Sequence, residues 1–281
     1  MHHPEVYNGE EPGDPIGVAV AKRDARTLDM VQAAILSDNV LLAYQPVVQA
    51  ADPGRVAFHE GLIRVVDPGG RVIPARNFVG VAETLELGRQ IDCRSLELGL
   101  RALAENEMLR LSINMSARSV GYEPWVQTLE RGLGRSSTVA ERLILEITES
   151  SAIVMPDVVS FFMRRLQARG ISFALDDFGS GYTAFRHLRD LYFDIVKIDG
   201  QFIRNIHAEP DNQVLAQALV SIARHFDMFT VAESVERAAD AEFLRETGVD
   251  CLQGYYYGAP TIRPAWDKTR VTGGRGDLRQ A

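Results

Sequence analysis

Short apolar runs of strand length alternate with longer amphipathic segments through most of the chain. These runs predict strands at residues 42–48, 56–66, 109–114, 143–147, 171–175, 195–198, 228–232 and 248–252. Segments such as 158–169 and 214–226 have apolar residues at helical spacing. Gly170 and Gly248 follow two of the helical segments, where a C-terminal cap is expected. Alternating strands and helices predict a parallel sheet, and eight strands favour its closure into a (β/α)8 barrel of the α/β class.

The first two predicted strands depart from this alternation. The loop between them, residues 49–55, contains Asp52-Pro53-Gly54 and is too short to hold a crossover helix. Parallel neighbours need such a crossover, whereas antiparallel neighbours need only a turn. We therefore expect an antiparallel hairpin at the start of the barrel.

The two ends of the chain differ from its middle. Residues 1–24 are acidic and rich in turn-forming residues, and are expected to form a flexible leader or the stub of a linker. Residues 28–36 predict a helix, with Thr27 as its N-cap. Residues 267–281 form a polar tail, so the barrel domain is expected to occupy residues 25–266.

Composition excludes several classes of function. The 281 residues are 46% hydrophobic and carry a formal net charge of −8, which argues against binding a nucleic-acid polymer. No apolar run reaches the roughly 18 residues that span a bilayer, and no secretory signal is visible. Cys93 and Cys251 lack metal-ligand spacing and are expected to be reduced, buried thiols. A cytoplasmic location fits these features best.

Polar residues follow most of the apolar runs at the point where each strand would end: Glu60, Asn114, Glu146, Asp176, Lys197, Glu233 and Gln253. A carboxylate beside buried apolar sequence is unfavourable unless something neutralises it, so the repeated placement predicts that these groups meet at shared cations. Catalytic residues of a (β/α)8 barrel lie at the carboxyl ends of its strands. Oxygen donors favour magnesium or manganese over zinc, and two such ions are suited to displacement at a phosphate ester.

Taken singly, these residues also fit structural roles. Asp176 and Asp177 precede a glycine-rich stretch and fit a turn with a helix N-cap, while Glu146 fits an edge strand that faces water. Asn114 fits a helix cap, and Lys197 is either partly buried or paired with acids. Two further acids fit the first turns of the helices that follow them: Glu149 and Glu236.

The motifs and their order resemble those of the EAL-domain cyclic di-GMP phosphodiesterases. Over roughly residues 42–260 they are Tyr44-Gln45-Pro46, Glu60-Gly61-Leu62-Ile63-Arg64, Asn114-Met115-Ser116, Glu146-Ile147-Thr148-Glu149, Asp176-Asp177-Phe178-Gly179, Lys197-Ile198-Asp199, Ala232-Glu233-Ser234-Val235-Glu236 and Gln253-Gly254-Tyr255. The second of these is similar to the family signature Glu-Ala-Leu-x-Arg. The family fold is a modified TIM (β/α)8 barrel with one antiparallel strand, which agrees with the expected hairpin.

The resemblance implies two divalent cations, Mg2+ or Mn2+, in one site. It implies that the first is bound by Glu60, Asn114, Glu146 and Asp176. Asp176 would bridge to a second ion that Asp177 also binds, with Glu233 as a ligand or as the general base near the attacking water. Lys197 would orient that water and stabilise charge on the phosphorane. The residues implied in catalysis are therefore Lys197, Glu233, Glu60 and Gln253, with Gln253 supporting the centre.

The resemblance also implies residues that contact the substrate: Gln45, Leu62, Arg64, Asp199 and Tyr255. Arg64 would bind a phosphate through its forked guanidinium, and Gln45 would contact guanine or ribose. Two acids are assigned to loop support: Glu149 and Glu236. Glu149 would brace the loop over residues 178–185 so that Asp177 keeps its position.

Two departures from the family pattern stand out. Gly61 replaces alanine in the signature triplet, and Ser234 replaces a glycine between two acids, where a positive φ would restrict a serine. Neither removes an implied metal ligand. The resemblance therefore implies hydrolysis of cyclic di-GMP to linear pGpG, with Ca2+ binding but supporting little turnover.

Two other functions remain open from the sequence. One is a receptor that binds cyclic di-GMP without cleaving it, and the other is an unrelated metal-dependent barrel enzyme acting on another phosphate ester. Barrels of the family it resembles often form homodimers and are commonly joined to sensory domains, so the resemblance allows a homodimer and a fused or partner sensory domain here.

Overall fold

A ring of eight strands forms the centre of the protein, as the alternating apolar runs predict. The computed structural model describes residues 15–180 and 191–266. Its strands are β1 (Val40–Gln49), β2 (Val56–Val66), β3 (Val72–Pro74), β4 (Leu111–Asn114), β5 (Leu143–Thr148), β6 (Ser172–Phe178), β7 (Ile195–Ile198), β8 (Phe229–Ala232) and β9 (Cys251–Gln253). Hydrogen-bonded neighbours follow the order β1-β9-β8-β7-β6-β5-β4-β2, and pairing of β1 with β2 closes the barrel. The prediction of a modified TIM barrel is confirmed.

Helices cover the outside of this barrel. Their bounds are α1 (Pro15–Leu36), α2 (Val79–Ala82), α3 (Glu86–Glu105), α4 (Glu123–Leu133), α5 (Glu149–Ala152), α6 (Pro156–Gln167), α7 (Gly200–Ile203), α8 (Pro210–His225) and α9 (Ala238–Thr247). None of these described helices combines the length and the apolar character that crossing a membrane requires.

Strand β1 is the antiparallel member of the barrel. It runs antiparallel to both β2 and β9, whereas β2 and β4 to β9 run parallel to one another. The expected hairpin is thus confirmed, and it continues into β3, which pairs with the end of β2 outside the ring. The sequence does not predict β3, because three residues ending in proline are too few to show strand periodicity.

Several predicted boundaries are wrong, and two of them have a clear physical reason. Helix α1 begins at Pro15, well before residue 28, and the Thr27 hydroxyl donates to the Arg23 carbonyl at 3.0 Å within the helix instead of capping it. Alanine and charged residues over 19–26 are good helix formers, and they outweigh the turn-forming residues just before them. Gly248 ends α9 in the left-handed region, as predicted for a cap, so the last barrel strand starts only at Cys251. The rest of the predicted leader, residues 1–14, and the predicted tail, residues 267–281, lie outside the described residues.

The floor of the barrel is an apolar layer directly beneath the polar residues singled out from the sequence. Its members are Val47, Phe58, Ile144, Ala174, Ile195 and Val231. Each of these apolar residues is separated by two positions from a polar residue that lies on the same strand or just past the end of that strand. Ile195 and Lys197 of β7 are one such pair. Side chains at i and i+2 of a strand share a face, so the pleat places the acids in the layer above.

The two cysteines are free, as predicted, but both are partly exposed rather than fully buried. Cys251 packs against the apolar floor of the barrel. Burial raises the pKa of the Cys251 thiol to about 11, which keeps it protonated at neutral pH.

Gly61, the departure in the signature triplet, makes room for a large neighbour. A Cβ atom at Gly61 would lie 2.7 Å from the Ile113 Cδ1 atom and 3.2 Å from the Ser112 carbonyl oxygen. A Cβ atom at Gly99 of α3 would lie equally close to the same isoleucine, at 2.7 Å. Ile113, almost fully buried, therefore fills the space that both glycines leave between β2, β4 and α3.

Replacing Gly61 by alanine, the residue of the signature that this chain resembles, should therefore destabilise the protein. We expect Gly61→Ala to lower the free energy of unfolding by about 1–2 kcal/mol, because Ile113 is closely packed and has no room to move away. Ile113→Val removes the clashing Cδ1 atom, so it should cost about 1 kcal/mol in the wild type and much less in the Gly61→Ala background. Urea unfolding of both single variants and the double variant measures this coupling, and strictly additive effects would contradict it.

Candidate active site

One buried ammonium group lies at the centre of the barrel mouth. The Lys197 Nζ atom is 2.7 Å from Glu233, 2.9 Å from Glu146, 3.2 Å from Asp176 and 3.4 Å from Glu60, measured to a carboxylate oxygen in each case. The side chain of Lys197 is 1% exposed. Four acids from four different strands or strand ends thus converge on a single cation.

The charges in this cluster do not balance. Burial alone would lower the pKa of Lys197, but the surrounding carboxylates raise it well above its ordinary value, so the ammonium keeps its charge. Burial raises the pKa of Glu146 well above the ordinary value and that of Glu233 to about 8, although Lys197 opposes both shifts. One positive charge is therefore too few for four carboxylates, and the site favours additional cations.

Glu60 differs from the other acids in position and in ionisation. It lies in the middle of β2 rather than at a strand end, because the hairpin with β1 continues β2 beyond the barrel mouth. Burial acts to raise the pKa of Glu60, but Lys197 and two amide donors outweigh it and the pKa is lowered. The donors are the Gln253 Nε2 atom at 2.6 Å and the Asn114 Nδ2 atom at 2.9 Å.

A backbone irregularity brings the two adjacent aspartates to the same side. Successive residues of a regular strand point to opposite faces, so Asp176 and Asp177 would normally diverge. The pairing of β6 with β7 shifts register between Leu175 and Phe178, and Asp177 adopts a φ of +57°. Aspartate tolerates this left-handed conformation better than most residues. The bulge turns both carboxylates toward the site.

The donor set fits divalent cations of the magnesium type. Ligand atoms of Asp176, Asp177 and Glu233 all lie within 4.8 Å of one another. Burial, with the charges of Asp176 and Asp199, raises the pKa of Asp177 to about 6, so a counter-ion would favour its ionised form. Carboxylate and amide oxygens, with no histidine or thiol among these contacts, are the donors that Mg2+ and Mn2+ prefer.

Two clefts open on either side of the acid cluster. The first, of about 440 Å³, is lined by Asn114, Asp176 and Asp177 and extends to α3. The second, of about 240 Å³, is lined by Glu233 and Gln253. Glu60 and Leu62 line both, so the cluster lies between the two clefts.

Three of the expected substrate residues line the second cleft: Gln45, Leu62 and Tyr255. Leu62 lines the first cleft as well. Gln45 is buried, accepts from Gln253 at 3.2 Å and donates to the Gly258 carbonyl at 3.1 Å. Tyr255 is 62% exposed, so its ring is accessible from solvent at this cleft.

The other two expected substrate residues lie at the edge of the site. Arg64 lines neither cleft; its guanidinium donates to the Ile63 carbonyl at 2.9 Å. Burial and the neighbouring charge of Arg76 lower the pKa of Arg64. Asp199 caps the N-terminus of α7 by accepting from the Gln201 amide at 2.6 Å, and it lies beside Asp177.

The two acids assigned to loop support have different surroundings. Glu149 is buried, begins α5 and accepts from the Gly179 amide at 3.0 Å, so it contacts the chain directly after the aspartate pair. The rest of that loop, residues 181–185, lies outside the described residues. Glu236 is exposed, precedes α9 instead of lying in its first turn, and lines the second cleft. The expectation that Glu236 begins a helix is wrong, because the turn after Glu233 delays the helix to Ala238.

Ser234 adopts the positive φ that its motif position suggested. Its φ is +57°, in the left-handed region where glycine is favoured. The side chain has a partner, because the Arg204 Nη2 atom donates to the Ser234 hydroxyl at 3.2 Å. The turn therefore forms with serine, and Glu233 remains beside Lys197.

The sequence does not predict several residues that line the clefts, among them Asp92 and Arg204. Asp92 is partly buried on α3, where it accepts from the Ser116 amide at 2.9 Å and the Ser119 hydroxyl at 2.6 Å. Each lies in or beside a helix with no special spacing, so only the folded chain shows that they reach the site. The one available signal was an acid at a core-facing helical position, next to Ile91.

Comparison with known proteins identifies the family. The EAL domain model matches residues 28–260, which is most of the chain. The chain belongs to the EAL domain family. It is 32% identical over 247 residues to a protein named cyclic di-GMP phosphodiesterase NbdA from Pseudomonas aeruginosa, and 32% identical over 234 residues to one named cyclic di-GMP phosphodiesterase PdeB from Shewanella oneidensis. Those matches cover 85% and 82% of this chain but only 31% and 27% of the relatives.

Solved structures of EAL domains share the fold. The structure titled PaMucR phosphodiesterase, c-di-GMP complex, has a TM-score of 0.77 and 30% sequence identity, and the match covers 85% of this chain and 98% of that one. The FimX EAL domain from Pseudomonas aeruginosa, bound to c-di-GMP, has a TM-score of 0.75 at 23% identity and covers 84% of this chain and 97% of that one, a likeness of fold alone.

The central ammonium should be essential to the stability of this EAL domain in the absence of divalent metal. Lys197→Met leaves four largely buried acids without their shared counter-ion, so we expect a loss of about 3–5 kcal/mol in the free energy of unfolding. Lys22→Met, at an exposed position of α1, is the matched control and should change it little. Urea unfolding in EDTA measures both. Adding Asp176→Asn should return part of the loss, and failure to do so would contradict mutual repulsion of the acids.

Asp92 should make stability depend on pH. Burial raises the pKa of Asp92 to about 7, against hydrogen bonds from Ser119 and Ser116 that lower it. Between about pH 4 and pH 7 the unfolded chain therefore releases the proton while the folded chain keeps it, so rising pH destabilises the fold. We expect the stability of the wild type relative to Asp92→Asn to fall by roughly 3–4 kcal/mol over this interval.

The measurement for Asp92 is the urea midpoint of both proteins at several pH values. Asp157→Asn, at an exposed position of α6, serves as the matched control and should follow the wild type. A difference between wild type and Asp92→Asn that does not change with pH would contradict the raised pKa.

Proposed function

We propose that this EAL domain is a metal-dependent phosphodiesterase that hydrolyses cyclic di-GMP to linear pGpG. The observation that carries the proposal is the set of four acids around Lys197, placed between two clefts. The substrate in this proposal comes from family membership, because relatives in the family are named cyclic di-GMP phosphodiesterases.

The donor set supports a pair of divalent cations. Glu60, Asn114, Glu146 and Asp176 would hold one ion, while Asp176, Asp177 and Glu233 would hold the other. When bound, two such ions supply positive charge that stabilises the attacking and leaving oxygens of a phosphodiester displacement. The excess of carboxylates over ammonium at this position is what such ions would neutralise.

The reaction breaks one of the two phosphodiester bonds of the cyclic substrate. A water molecule loses a proton and attacks phosphorus, the bond from phosphorus to the 3′ oxygen breaks, and that oxygen takes up a proton. Glu233 lines the second cleft, and with the surrounding carboxylate charge neutralised by bound cations it would be ionised and would accept the proton of the water. Lys197, beside it, offers positive charge where negative charge develops on the phosphoryl oxygens.

The two clefts suit a substrate with two nucleoside halves. Both clefts are lined by Glu60 and Leu62, so the phosphate to be cleaved can lie over the acid cluster while one nucleoside enters each cleft and the other phosphate extends into the second cleft. Tyr255 offers an aromatic face to a base in the second cleft. Gln45 and Gln253 hydrogen-bond to each other beside this cleft, and Gln253 also holds Glu60 in place.

A receptor role is the second candidate. Two observations favour a receptor role. Ser234, at φ +57°, replaces the glycine of the family pattern, and Arg64 lies outside both clefts. Every carboxylate implied in metal binding is nevertheless present and close to the centre, which favours hydrolysis. Binding of cyclic di-GMP with no turnover in Mg2+ or Mn2+ would establish the receptor role instead.

Asp176→Asn tests the metal assignment without endangering the fold. The variant keeps the shape of the side chain but loses the charge shared by both proposed ion sites, so we expect turnover of cyclic di-GMP in Mn2+ to fall at least about 100-fold. One acid fewer around Lys197 reduces repulsion, so stability should be equal or higher. Product formation is followed by chromatography of pGpG, with Asp29→Asn on the exposed side of α1 as control.

The ion dependence supplies an independent check. Turnover should require Mg2+ or Mn2+ and should be slow with Ca2+, which is larger and tolerates irregular coordination. Near-normal turnover by Asp176→Asn, or undiminished turnover in EDTA, would contradict the proposed metal centre.

A further inference from the structure

The second cleft contains a cation outside the acid cluster, Arg204. This residue directly follows α7, is exposed, and lines the cleft together with Glu233, Glu236 and Tyr255. Its Nη2 atom donates to the hydroxyl of Ser234 at 3.2 Å. A guanidinium has five N–H donors in a planar fork, and this hydrogen bond uses one of them.

The contact between Arg204 and Ser234 depends on a glycine. A Cβ atom at Gly200 would lie 2.3 Å from the Ser234 hydroxyl oxygen and 3.2 Å from the Arg204 Nη2 atom. Any larger residue at this position would therefore displace the serine side chain. Gly200 leaves the space in which the hydroxyl and the guanidinium meet.

The backbone at Ser234 is in a conformation that disfavours a side chain. Its φ of +57° lies in the left-handed region, where glycine is strained least. Glycine would fit the turn but would supply no acceptor to Arg204. The hydroxyl is thus the feature that the serine adds, and its partner lines the cleft.

Charge indicates what Arg204 would bind. The described lining of the second cleft includes three carboxylates, Glu60, Glu233 and Glu236, and its one cationic side chain is that of Arg204. A cyclic dinucleotide carries a negative charge on each phosphate, so a phosphate that extends into this cleft meets repulsion except near the guanidinium. Arginine binds phosphate oxygens well because two of its donors match their spacing.

We propose that Arg204 binds a phosphate oxygen of the substrate in the second cleft, and that Ser234 is the positioning residue that holds its guanidinium there. This assignment rests on the proposed function, because it takes the ligand to be a cyclic dinucleotide. It assigns to Ser234, where the family pattern has glycine, a part in substrate binding.

Steady-state kinetics with cyclic di-GMP in Mn2+ test the assignment. Arg204→Ala should raise KM about tenfold and leave kcat within about twofold, because the lost contact is made equally in the bound substrate and the transition state. Arg204→Lys should raise KM less, since a point charge replaces part of the fork. Arg237→Ala is the matched control: this exposed arginine donates to Asn205 and lines neither cleft, so KM should not change.

Variants at Ser234 separate positioning from backbone strain. Ser234→Ala and Ser234→Gly both lose the acceptor, so each should raise KM about threefold, although the glycine variant relieves the strained φ and should be the more stable of the two. Neither should raise KM further when Arg204 is already replaced by alanine. A Ser234→Gly protein with the wild-type KM would overturn the positioning role.

Competition with small probes distinguishes a phosphate contact from a base contact. Arg204→Ala should weaken inhibition by guanosine 5′-monophosphate and leave inhibition by guanosine unchanged. Equal weakening of both would mean that Arg204 contacts the base, and would overturn the proposal. Wild-type protein that neither binds nor cleaves cyclic di-GMP would contradict the proposed function, whereas normal wild-type turnover with an unchanged KM in Arg204→Ala would overturn the Arg204 assignment alone.

Discussion

The contact between the Lys197 ammonium and four largely buried carboxylates organises the whole mouth of the barrel. Each carboxylate comes from a different strand or strand end, so a single cation ties β2, β5, β6, β7 and the segment after β8 to one point. Such a cluster is stable only while its charge is nearly balanced, and one ammonium cannot balance four acids. The excess negative charge destabilises the fold, and it also makes the site suited to bind divalent cations.

The apolar floor beneath the cluster explains why the acids remain close together. Six apolar side chains fill the barrel one layer below and exclude water from that side. The acids can therefore be solvated only from the mouth, which raises the pKa values of Glu146 and Glu233. Burial and repulsion between like charges both disfavour the ionised carboxylates. A bound cation offsets both effects.

Local irregularities of the backbone orient the functional side chains at the mouth of the barrel. The bulge at Asp177 turns two adjacent aspartates to one side, and the left-handed turn at Ser234 follows directly after Glu233. Gly61 and Gly99 leave space for Ile113, and Gly200 leaves space for Ser234. Both departures from the family pattern thus have a partner in the structure: a larger neighbour beside Gly61, and an arginine contact at Ser234.

The barrel, its antiparallel start and the convergence of acids at its mouth can be predicted from the sequence, because strand periodicity and acids at strand ends are local properties of the chain. Serine in place of glycine at residue 234 also marked a turn that a positive φ would restrict. The position of Glu60 in mid-strand, the common direction of Asp176 and Asp177, and the presence of Asp92, Arg204 and Glu236 at the clefts become visible only in the folded chain. These facts depend on strand register, on a bulge and on which helix packs where, and such relations between distant segments leave no periodic signal in the chain.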